Sequence, residues 1–143
     1  MRPVLALCLL AALPACPHPG GSGPLGGGEC FVDQECDDGE LCSRDELCWP
    51  ADQIRRVKTM WTVRGEPASA ATCSSHPDLY IRFDGNVPDD LRFSPVPCAA
   101  GQFVVDKLAD SFTFVELGIP NRGFAKRARF DAAGEATIDL VFF

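Results

Sequence analysis

The chain is poor in the side chains that most enzymes rely on. It holds two histidines, His18 and His76, and contains no GxSxG, HExxH or glycine-rich phosphate loop, so the recognisable signatures of hydrolytic, metal and nucleotide chemistry are missing. Basic residues are outnumbered, 13 against 20 acids, and form no basic stripe, which excludes the electrostatic footprint of a nucleic-acid binder. No apolar face recurs at the helical period for three turns, so amphipathic helices are not expected. The longest apolar run, Val4 to Leu13, covers ten residues, about half of what a membrane-crossing helix needs.

What is present begins with that run. Arg2 precedes it and Leu13-Pro14-Ala15-Cys16 closes it, the order of an export signal: a positive n-region, a short apolar region, then small residues before a cut. A cysteine directly after the small residue resembles the lipobox of bacterial lipoprotein signals. Leu13 and Ala15 match that pattern, Pro14 is a less usual middle residue, and Cys8 would leave too short an apolar region. The resemblance implies a signal peptide over residues 1–15 and a thioether-linked diacylglycerol on Cys16, usually with a third acyl chain on its amino group. Two or more chains anchor a protein stably where one does not. Pro17, rather than Asp, implies the outer membrane of a Gram-negative envelope, periplasmic or surface-exposed. The alternative is an ordinary secretory signal cut after Ala15, and a secreted protein with a free Cys16.

The cysteine count bears on that choice. Seven follow residue 15: Cys16, Cys30, Cys36, Cys42, Cys48, Cys73 and Cys98. With lipid on Cys16 the rest are even in number, as an oxidising compartment favours, and without it one thiol is left over. Residues 16–29 read as lipid anchor and tether. The stretch Pro17 to Gly28 is rich in Gly and Pro, has almost nothing to bury, and reaches roughly 20 Å as a coil.

Residues 30–50 form a second unit, with four cysteines at six-residue steps from Cys30 to Cys48. Only Phe31, Val32, Leu41 and Leu47 could supply a core, so cross-links must replace one. Four cysteines allow three connectivities, and the spacing does not choose among them. Close CxxC pairs are absent, so disulfides are favoured over zinc. The unit is acidic, with eight Asp and Glu against Arg44 over residues 29–48. Asp33, Glu35, Asp37 and Asp38 are the candidate calcium ligands, set against the reading of a solvated acidic face. The unit resembles the Asp- and Cys-rich modules of many exported bacterial proteins, of the form Cys-x-x-Asp-x-Asp/Glu-Cys-x-x-Gly-x-x-Cys, on Cys30, Asp33, Glu35, Cys36, Gly39 and Cys42. That resemblance implies interleaved bridges, 30 with 42 and 36 with 48. An inhibitory role would need a rigid exposed loop presenting one bond, and no residue marks one.

From Arg56 the pattern turns to period two. Val57, Thr59, Trp61 and Val63 alternate with polar residues, as do Leu79, Ile81 and Phe83. Leu91 and Phe93 open a third strand, which Pro95 and Pro97 push toward a sheet edge. Four more strands are expected from Phe103 to Leu108, Phe112 to Leu117, Phe124 to Phe130 and Ala136 to Phe143, with Asp131 to Gly134 as the turn of a last hairpin. The expected fold is therefore all-β, an antiparallel β-sandwich over residues 56–143. Trp61, Ile81, Phe83, Phe112, Phe114 and Leu140 are expected in its core. Alternation puts Val115 and Leu117 on the face opposite Phe112 and Phe114, and Tyr80 outward. Trp49-Pro50 is expected to pack the module against the sandwich. The stretch Val63 to Cys73, with Trp61 before it and Cys98 later, is similar to the small prealbumin- or carboxypeptidase-regulatory-like sandwiches of exported bacterial proteins, and the similarity implies a bridge between Cys73 and Cys98.

The functional expectation is a non-enzymatic lipoprotein, bound to the membrane through Cys16. It would bind or scaffold an envelope or extracellular protein or glycan partner, with the acidic module as spacer, no cofactor and no nucleic acid. The alternative is a hydrolase around His76, in Cys73-Ser-Ser-His76-Pro-Asp78. That loop offers convergent polar groups, but neighbours on one short loop splay apart and rarely form a triad.

Overall fold

In the computed structural model, which describes residues 28–86 and 90–141, the alternating segments become strands, joined by turns and single-turn 3₁₀ segments. In chain order the strands are β1 (Glu40–Cys42), β2 (Cys48–Pro50), β3 (Ile54–Val63), β4 (Glu66–Pro67), β5 (Asp78–Gly85), β6 (Leu91–Pro97), β7 (Gln102–Ala109), β8 (Phe112–Gly118), β9 (Ala125–Arg129) and β10 (Glu135–Leu140). One sheet is built around β3, with β10 along one edge and β7 and the short β4 along the other. The second sheet runs β6-β5-β8-β9. Its edge strand β6 carries Pro95 and Pro97, which lack the N–H that a central strand must donate on both sides.

The core lies between these sheets. Val57, Thr59, Trp61 and Val63 turn inward from β3, and Leu79, Ile81 and Phe83 from β5. Phe83 is fully buried, with the rings of Phe93, Phe103 and Phe130 centred 6.1, 6.4 and 6.0 Å away.

Two expectations are corrected. Phe114 does not enter the core. Phe83 pairs with Val115 and Asp84 with Phe114, but Gly85 pairs with Phe112. One extra residue, Thr113, is inserted there, and such a bulge resets the period of two. Phe112, Val115 and Leu117 therefore all point inward, while Phe114 turns out under Arg127. The second correction concerns Asp131 to Gly134. The turn forms, with the Gly134 N–H donating to the Asp131 carbonyl at 3.1 Å. It does not close a hairpin: β9 stays on β8, while β10 crosses to the other sheet and pairs parallel to β3. Buried Phe130 marks the crossing, and Ala136, Ile138 and Leu140 complete the first sheet's inner face. A local turn signal is the same whichever sheet receives the next strand.

The module carries the interleaved bridges, Cys30–Cys42 and Cys36–Cys48, and the sandwich carries Cys73–Cys98. The module is also docked, which a free spacer would not be. The Lys107 carbonyl on β7 accepts from the Arg44 N–H at 3.0 Å and the Ser43 hydroxyl at 3.2 Å. Arg44 pairs with Asp106 at 2.7 Å, and Trp49 is buried in the sandwich core. The hairpin β1–β2 thus covers part of a strand edge that would otherwise present unpaired backbone groups.

Candidate functional site

The loop following Cys73 sits where three constraints meet. The Cys73–Cys98 bridge pins it, and the buried Trp61 indole donates to the Cys98 carbonyl at 2.7 Å. Beside it, the two-residue turn Arg64-Gly65 joins β3 to β4 with φ of 54° and 76°. Positive φ at both positions is what a tight hairpin turn matched to strand twist requires; it suits Gly65 and strains Arg64. Asp139 holds that turn, one carboxylate oxygen accepting from the Thr62 hydroxyl and the Gly65 N–H, each at 2.7 Å. These bonds keep the Asp139 carboxyl below its usual range. On the other flank the Thr72 hydroxyl accepts from the Ser69 N–H at 2.9 Å.

The result is an open hollow of about 380 Å³ bordered by Val63, Arg64, Glu66, Thr72, Ser74 and Ser75. His76 and Asp78 are not among its lining residues, so the loop's serines and its imidazole do not converge there. A polar hollow bordered by one guanidinium, one carboxylate and three hydroxyls suits the binding of a small polar group.

The module's carboxylates are occupied differently. Asp33 accepts from Lys107 Nζ at 2.7 Å with both oxygens and from the Cys42 N–H at 3.1 Å. Glu35 folds back on the backbone, accepting from the Phe31 and Val32 N–H groups at 2.6 and 3.2 Å. Asp37 and Asp38 lie exposed in solvent. Two of the four candidate calcium ligands are thus already engaged by donors of the chain itself. Among the described residues, the three-ligand group found is Cys30, Cys36 and Cys48, whose sulfurs are in disulfides.

Lysine 107 holds the Asp33 carboxyl below its ordinary value of 3.8, helped by the Cys42 N–H. A carboxyl whose folded value is depressed contributes stability that is present above its unfolded value and lost as the pH falls through the folded one. Asp33→Asn is therefore expected to lower the urea midpoint at about pH 7, with the gap to the parent protein closing as the pH falls below the ordinary carboxyl value of 3.8. A gap of the same size at both ends of a pH series of urea melts would rule out this ion pair as a pH-dependent tie.

Of the aromatic residues that could stack a sugar, Trp49 and Trp61 belong to the core. Tyr80 turns outward as expected, but the Arg92 guanidinium lies 4.2 Å over its ring and its hydroxyl donates to Glu116 at 2.8 Å. Burial and the Glu116 bond push its pKa upward. The arginines on this outer face, Arg82, Arg92, Arg127 and Arg129, were not singled out from the sequence, although period-two parity with Tyr80 carries the signal. Cys16 and His18 lie outside the described residues.

The chain matches no protein-family model, and neither a curated protein nor a solved structure is similar enough to count as a match.

Proposed function

We propose that this protein is a lipoprotein of the bacterial outer membrane, held there by acyl chains on Cys16 after removal of residues 1–15. In this reading it is a non-enzymatic binding or scaffold protein for an envelope or extracellular partner. Its module is of the exported Asp- and Cys-rich kind, and its sandwich of the prealbumin- or carboxypeptidase-regulatory-like kind. The observation that carries the reading is the cysteine pairing. All six cysteines from Cys30 onward are consumed in three bridges, so Cys16 is the one mature thiol left for another fate. Three covalent staples and a docked module support a rigid presenting surface.

The test is Cys16→Ser expressed in a Gram-negative host. The parent protein is expected in the membrane fraction, with an intact mass raised by the lipid. The variant is expected in the soluble fraction. Membrane association unaltered by the substitution, or a parent mass showing a free Cys16, would overturn the anchor.

A further inference from the structure

Cations gather on the outer face of the sheet β6-β5-β8-β9. Strand register places Arg92, Arg82, Glu116 and Arg127 in one row across it, and Asp84, Phe114 and Arg129 in the next. With strands about 4.8 Å apart, the first row spans roughly 14 Å. Like charges directly opposite one another destabilise a sheet, yet Arg82 faces Arg92. Arg82 is offset by Glu116, Asp90 and Asp84 at 3.1, 3.7 and 4.0 Å, and Arg127 is paired with Asp84.

The exposed Arg92 and Arg129 are held by rings instead. Arg92 lies over Tyr80, and Arg129 is 6.0 Å from the centre of Phe114, whose ring also carries Arg127 at 3.9 Å. Gly118, opposite Tyr80, makes room for its ring, since a Cβ there would come within 2.6 Å of it. Stacking fixes a guanidinium in place but uses none of its N–H groups, so the fork stays open to a carboxylate or phosphate.

We infer that this face binds an anionic polysaccharide, a sugar chain bearing carboxylates or phosphates, laid across the arginine row. The inference rests on the proposal that the protein is a binding protein and gives its partner a chemistry. The chain as a whole is acidic, at net −7, so a polyanion is repelled elsewhere and guided here. Protein partners anchor through buried aromatic and apolar side chains, but the rings on this face are capped by guanidinium. Among the described residues, the exposed large apolar side chains, Phe31, Val32 and Val104, lie on β7 and on the module. Asp84, Asp90 and Glu116 stand among the four arginines as acceptors for sugar hydroxyls. An acidic peptide such as poly-L-glutamate has no side-chain hydroxyls to donate to them and would meet them as repulsion alone.

The experiment is electrophoresis of the full chain through gels containing polygalacturonate, a phosphorylated mannan, neutral dextran or poly-L-glutamate. Retardation is expected with at least one acidic glycan, and which one tells carboxylate from phosphate recognition. Dextran should have no effect, and poly-L-glutamate a weaker one than the glycan. The double variant Arg92→Gln/Arg129→Gln should bind about tenfold or more weakly, as two charge-assisted contacts are lost. Arg56→Gln, exposed on β3 of the other sheet, should bind as the parent does. If the glutamine pair lowers the melting temperature, Arg92→Lys/Arg129→Lys keeps both charges, loses the planar forks and should still bind more weakly. No retardation by either acidic glycan, unchanged binding by the double variants, or tighter binding to poly-L-glutamate would overturn the inference. The assay reads binding whether or not lipid is attached, so its failure is distinct from failure of the anchor.

Discussion

Phe83→Ala is expected to cost about 3–5 kcal/mol of folding free energy, enough to lower the melting temperature by at least about 10 °C. Phe83 has no exposed surface and stands among Phe93, Phe103 and Phe130, so its removal opens a cavity in contact with both sheets. Stacked Phe130 marks the crossing to β10, and Phe93 and Phe103 belong to the strands on either side of the 3₁₀ turn at Cys98–Ala100. Whole-domain stability is typically about 5–15 kcal/mol, so the loss approaches the lower limit. Phe114→Ala, on the neighbouring strand opposite Asp84 but outward-facing, should cost about 1 kcal/mol, the worth of its arginine contacts. Thermal melts of the two variants side by side decide the matter. Equal losses would mean that Thr113 is not the inserted residue and that the parity of β8 is wrong.

Breaking the Cys73–Cys98 bridge is expected to act on a similar scale. The residues are 25 apart, and closing such a loop is worth roughly 3.5 kcal/mol in chain-entropy terms. A Cys73→Ala/Cys98→Ala variant should lose a corresponding part of its urea midpoint. Its second signature is local. The loop carrying Ser74 and Ser75 is tied to the sheets at Cys98, through the bridge and through the Cys98 N–H donating to the Pro77 carbonyl at 2.8 Å. Limited proteolysis should therefore cut between Thr72 and Pro77 well before the sandwich unfolds. A midpoint equal to the parent's, with no new cleavage there, would show that the hydrogen bonds suffice without the bridge.

The inward faces of β3 and β5 were legible in the sequence, because burying one face of a strand imposes a period of two that Val57, Trp61, Ile81 and Phe83 obey. The edge position of β6 was legible from Pro95 and Pro97 through a missing donor. The bulge at Thr113 was not, since an inserted residue leaves composition unchanged and only breaks phase. Nor was the destination of β10, because a turn at Gly134 serves a hairpin and a crossover alike. The docking of the module depends on Asp33 meeting Lys107, 74 residues away, and no local pattern encodes such a meeting. The module's bridges follow from likeness to other modules, since the even spacing of the four cysteines fits three connectivities equally. At the candidate site, the polar loop after Cys73 was visible as a run of hydroxyls, while the hollow needed Arg64 and Glu66 from the neighbouring turn. The arginine face was written in the same alternation that gave the core, read on its other side.

The parallel pairing of β10 with β3 also sets a schedule. Thr62 and Asp139, joined across that ladder, are 77 residues apart, so at ribosomal rates of about 5–20 residues per second β3 waits roughly 4–15 s for this neighbour. During that interval one edge of the central strand is bare and the first sheet lacks a third of its inner face. A chain in this condition stays loose until its last strand arrives. Closure of the first sheet then comes late, and under the export proposed for this chain the three bridges would lock the fold only after that step.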